Sequence, residues 1–143
     1  MLIWLPMFLR EMAIPTAFWL LDWHIHEMLY GYLPAIITGF LLTAIPNWTD
    51  RLPLQEGLLT VLVTAWVAGR IAICISAVIG PVAAAVVDVS FLLLVAIAAA
   101  REVIAGRNWR NLLTIFIVLI FLAGSIIFLV EDYQTGRRNS ARG

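Results

Sequence analysis

Residues 112–130 run for 19 positions without a charged side chain. Coiled as an α-helix at 1.5 Å per residue, such a run reaches roughly 28 Å, close to the ~30 Å hydrocarbon core of a bilayer. Three more runs share this character. Met28–Ile45 is 18 residues without a charge, residues 57–80 are interrupted only by Arg70, and residues 82–100 only by Asp88. In lipid every backbone N–H and C=O must be satisfied within the protein, which leaves helices and closed barrels. Strict period-2 alternation is absent, so a β-barrel is excluded. The expectation is an all-α integral membrane helical bundle. It has four transmembrane helices at about 28–45, 57–80, 82–100 and 112–130, in a single domain over residues 1–130.

Composition agrees. The chain is 63% apolar and 13% charged, against about 45–50% and 25% in soluble domains. Residues 2–21 are weaker as a span, because Arg10-Glu11 interrupts them and Pro6 and Pro15 flank that pair. They read as a partial or interfacial N-terminal helix, and without a basic n-region they make a poor signal peptide. Gly80-Pro81 reads as a tight hairpin, Pro46-Asn47 as a turn, and residues 131–143 as a polar disordered tail. Asn47-Trp48-Thr49 fits a glycosylation sequon, but beside a span end it reads rather as a cap with an interfacial aromatic. Arg51, Arg101, Arg107 and Arg110 fall on one side and Arg137, Arg138 and Arg142 on the other, in the tail. With the tail discounted as free and terminal, the positive-inside rule puts the 101–111 loop in the cytoplasm, and His24 and His26 on the outer side.

Several function classes fall away. The formal net charge is zero and there is no basic stripe to track a phosphate backbone, so no nucleic-acid partner is expected. One cysteine, Cys74, cannot form an internal disulfide, and there is no Cys-x-x-Cys pair. Phosphate-binding glycine loops, nucleophile–base pairs and His-Glu-x-x-His motifs are all missing, so no reaction is assigned.

The densest polar cluster is Asp22-Trp23-His24-Ile25-His26-Glu27, at the approach to the Met28–Ile45 run. Histidine is the commonest metal ligand. On a helix, residues i and i+2 lie about 200° apart, so His24 and His26 share one metal only if the stretch is extended. If it is helical, His24 pairs with Met28 and His26 with Tyr30 at i+4. One histidine can then ligate a haem or copper inside the bundle, or both can anchor at the headgroup layer. Small residues recur every fourth position at Gly31, Ala35, Gly39 and Thr43, and again at Ala68, Ala72, Ser76 and Gly80. Such stripes suit close helix packing or a flat cofactor ring. Pro34 has no N–H for the Tyr30 carbonyl and should kink the helix.

Arg70 precedes Gly80 by ten residues and Asp88 follows it by eight. In an antiparallel hairpin closed at Gly80-Pro81 they reach nearly the same depth, so an intramembrane ion pair is expected.

The stretches Trp23–Gly31, Gly39–Thr49, Trp66–Arg70 and Gly106–Asn111 resemble the signature of the NnrS family, in one register from about Ile14 to Glu131. Members of that family resemble haem- and copper-containing bacterial inner-membrane proteins linked to nitric oxide and denitrification. The resemblance implies a haem or copper cofactor, with His24 and His26 as candidate ligands and Glu27, Met28 and Tyr30 beside them. Family members are longer, with roughly a dozen spans, so the likeness is to their amino-terminal part. Ser125 and Leu129 stand where the family is expected to have Asn and His. Expected partners are the lipid bilayer and another membrane subunit or a second copy. The competing readings are a proton or small-solute transporter, motivated by Arg70 and Asp88, and a non-catalytic assembly module.

Overall fold

Apolar runs of this length have one economical solution in lipid, and the computed structural model adopts it. It describes residues 4–9, 11, 13–49, 56–105 and 112–140. Seven α-helices are present among them: α1 (Trp4–Phe8), α2 (Leu20–His26), α3 (Leu33–Thr49), α4 (Glu56–Cys74), α5 (Ser76–Ile79), α6 (Pro81–Ala105) and α7 (Leu112–Ser140). A π-helical segment, Glu27–Tyr32, joins α2 to α3 without a break. Four stretches are long and apolar enough to cross a membrane: Leu20–Ala44, Gly57–Cys74, Pro81–Ile104 and Leu112–Thr135.

Helix α6 is the central element, packing against α3, α4 and α7. One core joins Leu41 of α3, Leu62 of α4, Phe91, Leu92, Val95, Ala96 and Ala99 of α6, and Val118 of α7. A second, toward the opposite end of α6, gathers Phe18, Trp23, Ile73, Ala84 and Leu129. Large apolar side chains such as Phe40, Val86, Leu113 and Phe116 stay exposed. In water they would be a liability, but in a bilayer they are the lipid-contacting surface.

Four boundaries differ from the sequence expectation. The first span begins at Leu20 rather than Met28, because the polar residues read as its border are carried inside and find partners there. The second is broken at Ile75 (φ −105°, ψ 19°), which separates α4 from the short α5. Helix α3 continues through Pro46 to Thr49, since proline removes only one hydrogen bond near a helix end where bonding is already incomplete. The expected disordered tail instead extends α7 to Ser140, as extending an existing helix costs far less than nucleating one. The Gly80 turn does form, with Gly80 at φ 88°, a left-handed conformation that favours glycine. Among the described residues, the N-terminal region contains the five-residue α1 and non-helical residues 13–19. Residues 50–55 and 106–111, which hold most of the expected loops, lie outside the described residues.

Candidate functional site

The site begins with the backbone of the first span. Pro34 cannot donate to the carbonyl a turn before it, and the chain widens into the π-helical segment, where the Leu33 N–H bonds back to the Met28 carbonyl. The Trp66 indole N–H from α4 donates to the Gly31 carbonyl at 2.9 Å, tying the two spans together. At Gly31 there is no room for a side chain, because a Cβ would run into the Arg70 guanidinium. Gly69 has the same role on α4. A Cβ there would lie 3.2 Å from the Asp88 Cα, so glycine lets α4 and α6 approach closely.

Four polar side chains meet in this space. Arg70 bridges two carboxylates: its Nη1 donates to Glu27 Oε1 at 2.9 Å and its Nη2 donates to Asp88 Oδ1. Asp88 is 1% exposed and His26 0%. His26 Nε2 lies 3.4 Å from Asp88 Oδ2, yet neither atom makes a hydrogen bond, and His26 Nδ1 makes none either. Three rings surround the imidazole: Phe18 stacked at 6.2 Å and 17°, Tyr30 at 5.3 Å and Phe128 at 5.5 Å between centroids. Asp88 is seven residues past Pro81, so the cluster sits about 10 Å along α6 from its start.

The structure thus brings His26, Glu27, Tyr30, Arg70 and Asp88 together. Because α2 is helical through both histidines, His24 points about 200° away from His26 around the helix. Met28 is half-buried and belongs to no contact of the cluster described here. Glu27 bonds to Arg70, a partnership the sequence did not disclose. Of the two small-residue stripes, Gly31 is used for close approach, whereas the space beside Gly39 is open.

The family model described as NnrS protein matches residues 1–142. The chain belongs to the NnrS family. Neither the curated proteins nor the solved structures contain a match. Ser125 and Leu129 both lie in α7. Ser125 is 0% exposed, its Oγ without a hydrogen-bond partner, and Leu129 is buried in the same core as Phe18 and Trp23.

The donors at the NnrS cluster fit a metal ion. His26 Nε2 and Asp88 Oδ2 are buried, face each other at 3.4 Å without a hydrogen bond, and are separated by less than the sum of two metal–ligand bonds of about 2.0–2.2 Å. No group of three or more His, Cys, Asp or Glu side chains suited to a metal occurs among the described residues. The chain itself therefore offers a pair of donors rather than a full shell.

Proposed function

We propose that this chain is a multi-pass protein of the bacterial inner membrane that binds copper at His26 and Asp88 and acts in the response to nitric oxide or in denitrification. The observation that supports it most is the pair of buried donor atoms, His26 Nε2 and Asp88 Oδ2, which face each other at 3.4 Å with no hydrogen bond to either. Unsatisfied polar atoms are costly in a lipid-embedded core, and a bound cation relieves both at once. Copper, when bound, supplies a one-electron centre with affinity for imidazole nitrogen and for small diatomic ligands. The protein residues have distinct tasks. Arg70 engages Asp88 through Oδ1 and leaves Oδ2 available, and Glu27 holds Arg70 in place. Phe18, Tyr30 and Phe128 exclude water and fix the imidazole plane. The remaining coordination comes from outside the two residues. Haem is the other cofactor implied by the family, and it requires either a rearranged ring cage or His24.

Metal analysis and an optical spectrum of the purified chain test this reading. The expected result is about one copper per chain and no Soret band, with copper lost in His26→Ala and retained in His24→Ala. Copper content that is equal in the two variants and the wild type would reject His26 as a ligand. A second reading, proton or small-solute transport, is supported by the Glu27–Arg70–Asp88 network inside the membrane. Flux in proteoliposomes that disappears in Asp88→Asn, from a chain that binds no copper, would favour it instead.

A further inference from the structure

Residues 13–19, between α1 and α2, are non-helical and lie over the cluster end of the bundle. They are held by specific bonds. The Ala17 N–H donates to Ser76 Oγ at 2.9 Å, Thr16 Oγ1 and Ser76 Oγ are 3.2 Å apart, and the Ala77 N–H donates to the Pro15 carbonyl at 3.0 Å. Ser76 is 0% exposed and sits where the second span breaks. That break has a use: it turns the chain at Ile75 and offers a serine hydroxyl and a backbone N–H to this strap.

Beneath the strap is an open cleft of about 590 Å³, lined by Met7, Glu11, Thr16, Phe18 and neighbouring apolar residues. Phe18 is common to two environments, since it lines the cleft and also stacks on the His26 ring. One aromatic side chain therefore stands between the cleft and an otherwise enclosed imidazole. Among the described lining residues Glu11 is the only charged group and Met7 the only sulfur, a carboxylate for a cation and a soft thioether for a cuprous ion. Met7 is itself buried in the same core as Phe18.

We propose that this cleft is the access route to His26 for a soft metal cation, with Phe18 as its gate and the Ser76 hydroxyl as the latch of the strap. The proposal rests on the copper reading for the identity of what passes, but the route itself is a matter of accessibility. Opening requires the Phe18 ring to leave the His26 face and the strap to yield its bonds to Ser76. The tilted contacts of Tyr30 and Phe128 remain on the other sides.

Diethyl pyrocarbonate, which acylates accessible imidazole nitrogen, reads the route directly. The purified full chain in a His24→Ala background is labelled, and modification at His26 is followed by mass spectrometry. Slow labelling is expected for the parent, at least ten times faster labelling for Phe18→Ala, and an intermediate rate for Ser76→Ala. Phe18→Leu, which keeps most of the volume, should stay near the parent, and this separates gate opening from loss of fold. Phe128→Ala, which loosens the opposite wall, should also leave the rate near the parent. Equal acceleration by Phe18→Ala and Phe128→Ala, or none by Phe18→Ala, would overturn the route. Cuprous ion loading, timed in parallel, should accelerate with Phe18→Ala. A chain that binds no copper but labels as expected keeps the route and rejects the copper reading. A chain that binds copper with labelling indifferent to Phe18 does the reverse.

Discussion

The most consequential residue is Arg70. A lone guanidinium or carboxylate near a helix centre costs about 2.5–3.5 kcal/mol to insert, and here one arginine offsets two carboxylates from two other helical elements. Removing one partner of a buried pair leaves a stranded charge, at a cost of about 3–5 kcal/mol. Arg70→Leu strands Glu27 and Asp88 together, while Asp88→Leu leaves Arg70 with Glu27. Arg70→Leu is therefore expected to be the more damaging of the two, and the double variant to recover part of the Arg70→Leu loss. Unfolding measured in detergent across the four-member cycle checks this, and additive losses would mean the groups do not interact. The pairing of Arg70 with Asp88 could be read from sequence because both are counted from the same turn, and helical rise converts that count into depth. Glu27 could not be placed in this way. It comes from a different span, and its angular position depends on a π-helical segment that no periodicity announces. The offset of about 200° between His24 and His26 made it legible that only one of them could face the bundle, but not which.

At the scale of elements, the Glu27–Tyr32 segment sets where the site is. A π turn has more residues per turn than an α turn, so it rotates α2 relative to α3 and brings His26 and Glu27 toward α6 and α4. Pro34→Ala restores an N–H and allows a regular α-helix. Ordinarily, replacing an interior helix proline by alanine stabilises by about 3 kcal/mol. Here the regular helix would swing Glu27 off Arg70, and the gain is expected to vanish or reverse. Thermal unfolding together with far-UV circular dichroism checks it. A variant stabilised by the full ordinary amount would show that the π geometry is not needed. The kink at Pro34 is legible in the sequence, but its outcome as a widened turn is not, because proline fixes what bond is missing and not how the neighbours rearrange. The strap was equally hidden. Residues 13–19 have no periodic pattern, and their partner Ser76 appeared in the sequence only as one small residue in a stripe.

For the whole molecule, helicity was legible because lipid permits little else, while the first span's start was misplaced by treating polar residues as a membrane border. The placement of that span has a consequence for orientation. Helix α6 is one continuous helix from Pro81 to Ala105, so as a membrane span it has its two ends, Pro81 and Ala105, at opposite faces. Leu20 at the start of the first span, Cys74 near the end of the second and Pro81 at the start of the third then share a face. The strap, the cleft and the charged cluster belong to that face. The sequence expectation counts Arg51, Arg101, Arg107 and Arg110 on the other side and Arg137, Arg138 and Arg142 on this one, of which Arg51, Arg107, Arg110 and Arg142 lie outside the described residues. With the tail arginines discounted, the positive-inside rule leads us to expect the cluster face, and the cleft with it, outside the cytoplasm. Single cysteines at Gly80 and Asn108, introduced into a Cys74→Ala background, report this when intact cells meet an impermeant thiol reagent. Labelling is expected at position 80 and not at 108. Labelling at 108 alone would place the cleft on the cytoplasmic side, and a cation using it would then have to be supplied from within the cell.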